Sequence, residues 1–384
     1  MMGELEVVAP GEVGVDEERL QVLLERARKE VDEGLLPAAQ VAVAREGKLV
    51  AFETFGDAKP TTRFVIFSST KAWVASTMWL LLQDGSLKLD QKVAEVVPEF
   101  GTNGKDVISI DQVMLHTSGF PRQMMNPLKW DDKDARYRTF SRWELNWEPG
   151  KYYEYHPTSA HWVLAELIER VTGQDFRDVV RERVVEPLGL PSFVLGGKAA
   201  GEADVALVTQ VGEEMTPDEL EALIGIRELP VTEVTPEATT AISLMPSRAA
   251  GIPGGGGLAT AADIALFYQE LIHNSKGLWD QEFLADATGT VRNNKPDILF
   301  KTPASRGLGV VIAGDDGLNH MRGFGKSNSP KAFGHGGAGG QIAWGDPVTG
   351  LSFGYVTNGM DAHMLRQARR GVGLSSRAAN CASA

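Results

Sequence analysis

A single cysteine, Cys381, occurs in the 384 residues. No intramolecular disulfide can therefore staple this chain, which suits a reducing, cytoplasmic setting. Positive charge is also short: Lys and Arg number 38 against 51 Asp and Glu, for a formal net charge of −13. Nucleic acid and anionic membrane surfaces would repel such a chain, so neither is expected as a partner. No apolar run is long and clean enough to span a bilayer. The best, Phe64 to Leu82, is interrupted by Ser68, Ser69, Thr70 and Lys71 and reads as a buried helix of a water-soluble protein. The opening MMGELEVVAPGEVG has neither a basic nor an apolar leader region, so no secretory signal is expected. HExxH and paired-cysteine spacings are missing and the seven histidines are scattered, which argues against a metal centre. GxSxG is absent too, which closes the nucleophile elbow of the α/β-hydrolases. GFGKSNS lacks the glycine five residues before Gly325 that a phosphate-cradling loop requires. No cofactor is implied, and the pattern carries no information on oligomeric state.

What remains is an ordinary globular composition, 43% hydrophobic and 23% charged, in a chain long enough for two lobes around a shared cleft. Asp16 caps an amphipathic helix whose Leu20, Leu23, Leu24, Ala27 and Val31 share one stripe before Gly34. AAQVAVAR and KLVAFETFG, joined by Glu46-Gly47, read as a β-hairpin. Helical patterns follow over 70–83 and 159–171. The β pattern returns in GLGVVIAGD, AFGHGGAGGQIAW and LSFGYVTNG, before a last helix over 364–370. Residues 200–250 are acidic, lack periodicity and read as an irregular excursion. The expected fold class is α+β: an antiparallel sheet flanked by helices and built from both termini (1–69 and 300–384), with a mostly helical lobe (70–299) inserted and the active site in the cleft between them.

Three segments can carry chemistry. In FSSTKAWVASTMWLLLQDG, Ser68 stands at a helix start and Lys71 one turn later on the same face, which brings an amine within reach of a hydroxyl. Serine needs a base beside it to act as a nucleophile, and a helix N-terminus favours a developing oxyanion. Taken alone, the spacing is a weak signal and reads first as a capping serine beside a solvated lysine. Apolar residues on both sides of Lys71 favour the buried, functional alternative. In EPGKYYEYHPTSAHW, Pro157 ends the preceding element and leaves Tyr155 on a loop at a helix entrance; Tyr152 and Tyr153 read as packing aromatics. In FGHGGAGGQIAW, His335 opens a glycine run, Gly336 and Gly337 first, followed by strand rather than helix, so a dinucleotide site is rejected. Glycines in that setting signal a close backbone or substrate approach. PGGGGLATAADIALF reads as a tight loop near the cleft.

In order, these motifs resemble the serine β-lactamase, penicillin-binding-protein and carboxylesterase superfamily, closest to the class C β-lactamases and family VIII carboxylesterases. SSTK with Ser68 and Lys71 resembles the Ser-x-x-Lys element, Tyr155 in YHP the tyrosine of Tyr-x-Asn, and HGG with His335 the Lys-Thr-Gly strand. The resemblance covers nearly the whole chain, with DGSLKLD, LHTSGFP and EPLGL in support. It implies that Ser68 attacks an acyl carbon, that Lys71 and Tyr155 share its proton, and that the backbone N–H groups of Ser68 and Ala338 form the oxyanion hole. His335, Gly336 and Gly337 would contact the substrate. Two departures stand out. Pro157 replaces the asparagine of Tyr-x-Asn, and His335 replaces the lysine whose charge meets a β-lactam carboxylate. Both point to neutral short-chain carboxylic esters, with protonation of His335 toward pH ~6 restoring part of the charge. Trp130, Trp143 and Trp147 are candidates for an apolar acyl pocket and equally for the core. The expected activity is that of a serine carboxylesterase working through a Ser68 acyl-enzyme on a small-molecule ester. A β-lactamase, DD-peptidase or acyltransferase on the same scaffold is the first alternative, and a non-catalytic binding or assembly relative the second.

Overall fold

The computed structural model describes residues 5–228 and 234–382. The first four residues of the segment read for a leader, and 229–233 of the acidic excursion, lie outside it. Both ends of the chain build one six-stranded sheet. From edge to edge its strands are Lys48–Gly56, Ala38–Arg45, Leu351–Thr357, Ile342–Asp346, Phe333–Gly334 and Val311–Ile312. Every neighbouring pair is antiparallel. The hairpin turn is Glu46-Gly47, with φ of 54° and 75°. Two successive positive φ values match the twist of the flanking strands, and the glycine makes the second inexpensive. The central pairing runs from Ala39 opposite Thr357 to Arg45 opposite Leu351, so the first strand of the chain lies against one of its last.

Residues of strand Ala38–Arg45 alternate between two cores, as the period of a strand requires. Ala39, Val41 and Val43 pack with Leu20, Leu23 and Ala27 of the opening helix, Glu17–Asp32, and with Leu374 and Ala378 of the C-terminal helix, Met364–Ala379. Ala38, Ala42 and Ala44 face a larger core containing Ile264, Phe267 and Leu271. Those last residues belong to helix Ala261–His273, which by sequence falls within the inserted lobe of 70–299. Its packing places it on the sheet instead. Gln269 Nε2 donates to Ala44 O, Gly350 O and Ser352 Oγ, and a Cβ built at Gly354 would lie 2.4 Å from Ala261 O. Glycine there lets helix and strand approach closely, a tertiary constraint that periodicity does not express. The C-terminal helix also outruns its expected end at Arg370 and continues to Ala379 through Gly371 and Gly373. Burial of Leu374 and Ala378 outweighs the roughly 1 kcal/mol helix penalty of each glycine.

The helical part is organised around Thr70–Gln83, which is buried on all sides from Thr70 to Leu81 and hence a core helix rather than an amphipathic one. Trp73 is sandwiched between Phe193 and Phe267, with ring centroids 4.0 and 3.8 Å away. Helix Ser159–Thr172 ends at Gly173 with φ of 71°, a left-handed cap that glycine adopts without strain. The 200–250 excursion is less irregular than its composition suggests. It holds several short helices, and its Thr209–Val211 pairs in parallel with Gly359–Asp361. Among the described residues, no helix is long and apolar enough to cross a membrane.

Candidate active site

A second, four-stranded sheet delivers the Ser68 segment. Its strand Arg63–Val65 pairs with Gly257–Ala259, and Ile66 N donates to Gly257 O. The chain then turns through Phe67, whose φ of 44° is strained for a bulky side chain. Phe67–Ser69 form one 3-10 turn that winds into the core helix, so Ser68 sits just ahead of that helix. Ser68 is half-buried and thus reachable from solvent.

Lys71 and Tyr155 converge on it from different elements. Tyr155 OH donates to Ser68 Oγ at 2.9 Å, and Lys71 Nζ lies 3.2 Å from the same oxygen. Lys71 is wholly buried, and its Nζ also donates to Pro157 O at 2.7 Å and Gly254 O at 2.6 Å. Carbonyls only accept, so two of the nitrogen's three positions are committed to N–H bonds. The third faces Ser68, where the neutral amine presents its lone pair and the ammonium a proton. Proton exchange with the serine is built into that geometry. The PGGGG run thereby acquires a purpose, because a Cβ at Gly254 would sit 3.0 Å from Pro157 O and would spread the two acceptors apart.

The glycine run after His335 lies along the same turn. A Cβ at Gly337 would be 2.5 Å from Ile66 O, and one at Gly339 would be 2.9 Å from the Phe67 ring. Neither the Ser68 N–H nor the Ala338 N–H is taken up by another group among the described residues. Two free backbone donors, one on Ser68 itself and one beside it, could receive an oxyanion. His335 follows strand Phe333–Gly334, with its ring 5.9 Å from that of Tyr155, and Gly336 sits half-exposed beside it.

The charge pattern corrects one expectation and adds a residue. Burial, with the Arg306 and Lys71 charges beside it, holds His335 well below its usual pKa, so it stays neutral at pH 6 and restores no charge. The fixed cation is Arg306. Its guanidinium lies 5.0 Å over the Tyr155 ring, its Nε donates to Tyr153 OH at 2.9 Å, and its Nη1 is 3.4 Å from His335 Nε2. Arg306 is 6% exposed, and no carboxylate pairs with it among the described residues. Nothing in its surroundings in sequence, KTPASRGLG, distinguishes it from a surface arginine; an unpaired buried cation is visible only in three dimensions.

Three further imidazoles, His116, His156 and His161, are buried around this centre. All are held neutral chiefly by burial, and His156 is pushed down to about 3. His156 Nε2 and Ser118 Oγ are 3.1 Å apart, which mimics a serine–histidine pair. Both residues are fully buried, so no substrate can reach them and the contact is structural. The described residues hold no cluster of side chains fit for a metal ion. The tryptophans divide. Trp130 and Trp143 lie in the core at 1% and 3% exposure, Trp130 against Trp162 and Phe176 with its Nε1 donating to Glu169. Both supply bulk to the hydrophobic core of the helical part. Trp147 is half-buried beside Tyr152 and His156.

Comparison with known proteins bears on the family and the fold. Residues 24–376 match the family model described as Beta-lactamase. An esterase/β-lactamase of Mycobacterium tuberculosis, LipL, is 28% identical over 321 residues, covering 77% of this chain and 68% of that protein. A penicillin-binding-protein homologue from Caulobacter crescentus superposes with a TM-score of 0.74 at 26% identity, over 95% of this chain and 99% of that one. A family VIII carboxylesterase gives the same TM-score and coverage at 23% identity, a likeness of fold.

Proposed function

Since the chain belongs to the Beta-lactamase family, we propose that it is a serine hydrolase that cleaves short-chain carboxylic esters through an acyl-enzyme on Ser68. The observation that carries this reading is the convergence of Tyr155 OH and Lys71 Nζ on Ser68 Oγ. In the proposed cycle Ser68 Oγ attacks the ester carbonyl and passes its proton to the Lys71–Tyr155 pair. The oxyanion is received by the N–H groups of Ser68 and Ala338. The alcohol departs with the proton returned by the pair, and water then repeats the attack on the acyl-enzyme with the same groups as base and acid. Pro157 in place of an amide-bearing side chain supports a preference for esters over lactams.

A second reading, hydrolysis of carboxylate-bearing amides or lactams, is favoured by one observation: Arg306 supplies a fixed positive charge where His335 does not. The test is a panel of p-nitrophenyl esters beside a chromogenic cephalosporin, on the native protein and on Ser68→Ala. The ester reading expects ester turnover that vanishes with the serine and little cephalosporin turnover. Efficient cephalosporin hydrolysis at pH 8 would overturn it in favour of the second reading and leave the Ser68 chemistry standing.

A further inference from the structure

The turn that carries Ala338 is held by the C-terminal helix. Gly340 N donates to Gly337 O at 3.1 Å and Gly337 N to Gln341 O at 2.9 Å. The first of these bonds orients the peptide unit between residues 337 and 338, whose other end is the Ala338 N–H. A trans peptide points its N–H opposite to its C=O, so drawing Gly337 O into the turn turns the Ala338 N–H outward. The next peptide unit, between 338 and 339, has no backbone partner for its carbonyl among the described residues. Gln367 supplies one: its Nε2 donates to Ala338 O at 2.9 Å. Gly340, with φ of +86°, lies so close that a Cβ there would meet Gln367 Cγ at 3.3 Å, which fits the glutamine stem against the turn.

Gln367 is itself firmly placed. Its helix is capped by His363 and tied down by two arginines sharing one carboxylate, Arg366 immediately before Gln367 and Arg370 about one turn after it. Arg366 Nε and Nη2 donate to Asp361 at 2.8 and 2.6 Å, and Arg370 Nη2 donates to Asp361 at 2.7 Å while its Nε pairs with Glu30. The buried Asp361, Arg370 and Glu30 joined in this way leave the helix start little freedom.

We propose that Gln367 is a positioning residue for the oxyanion hole, fixing the 338–339 peptide so that the Ala338 N–H stays aimed at the intermediate formed on Ser68. The proposal rests on the acyl-enzyme reading above. Donors aimed where charge develops act on the transition state and not on the bound ester. Loss of one oxyanion donor lowers kcat by about 100- to 1000-fold, and a donor that is loosened rather than removed should lose less, about 10- to 100-fold. Gln367→Leu keeps the bulk and removes the bond. Gln367→Glu keeps the length but at neutral pH presents a carboxylate to the Ala338 carbonyl, which it cannot donate to.

The test measures kcat and KM for p-nitrophenyl butyrate and the affinity for a phenylboronic acid, which bonds covalently to an active serine and sets a hydroxyl in the hole. Expected are a kcat 10- to 100-fold lower in both variants with KM within about threefold, and a parallel loss of boronate affinity. A merely structural role would move the melting temperature without separating kcat from KM. Unchanged kcat and boronate affinity in Gln367→Leu, with Ser68→Ala inactive, would overturn the positioning role alone. Full activity in Ser68→Ala would instead overturn the reading beneath it.

Discussion

Acidification is the perturbation to which the four buried imidazoles should respond most steeply. His116, His156, His161 and His335 are all held well below the ordinary histidine value by burial, so the folded protein leaves them neutral while the unfolded chain protonates them near pH ~6.5. A depressed histidine contributes stability that is present above the unfolded pKa and is lost as pH falls below it. At pH ~5.5 each unfolded-state protonation is worth about 1.4 kcal/mol, so four are worth about 5–6 kcal/mol. Asp263 works the other way: burial raises its carboxyl to about 6, so the folded state gains a proton over the same interval, which offsets less than about 1 kcal/mol. The net loss of about 5 kcal/mol is comparable to the whole stability of many domains. Urea midpoints followed by tryptophan fluorescence from pH 7.5 to 5.5 measure it directly. A His161→Leu variant should flatten the slope by about a quarter. Stability that stays level down to pH 5.5 would refute the neutral, buried state of these rings and with it the account of His335.

Other outcomes follow from the same structure. Lys71→Ala and Tyr155→Phe should each lower kcat by several orders of magnitude, and the double variant should be little worse than either, because groups that act as a unit are non-additive; multiplicative losses in steady-state kinetics would mean independent roles. Trp73→Ala should cost about 3–5 kcal/mol in urea unfolding, since the indole is stacked on both faces; a loss under about 1 kcal/mol would contradict that packing. Arg306→Gln should lower kcat/KM about 10- to more than 100-fold for a carboxylate-bearing cephalosporin and leave p-nitrophenyl acetate within a few-fold. Equal losses on both substrates would assign Arg306 to catalysis rather than to charge recognition.

Legibility in the sequence followed the range of the interactions involved. The Glu46-Gly47 turn, the Asp16 cap and the Ser68–Lys71 spacing are local, and each was readable because its partners lie within a few residues. Tyr155 was readable through Pro157 two residues on, which stops the preceding element and leaves the tyrosine on a loop at the entrance of helix Ser159–Thr172. The acceptors of the Lys71 amine, Pro157 O and Gly254 O, are backbone atoms that any residue carries, so no side-chain pattern announces them. Arg306 was missed because its meaning lies in the carboxylate it lacks. Trp130 and Trp143 were ambiguous because an aromatic run before a motif suits pocket and core alike, and only packing against Trp162 and Phe140 decides it. Helix Ala261–His273 was assigned to the wrong layer because its partners, Gly345 and Gly354, lie far along the chain.

The central claim is that Ser68 is the nucleophile, and covalent labelling tests it most directly. The protein is treated with a fluorophosphonate, digested, and the adduct located by mass spectrometry, with Ser68→Ala alongside. The account predicts a single adduct on the Ser68 peptide, abolished by the substitution and slowed in Tyr155→Phe. An adduct on Ser69 or on Ser118 beside His156, persisting in Ser68→Ala, would contradict it.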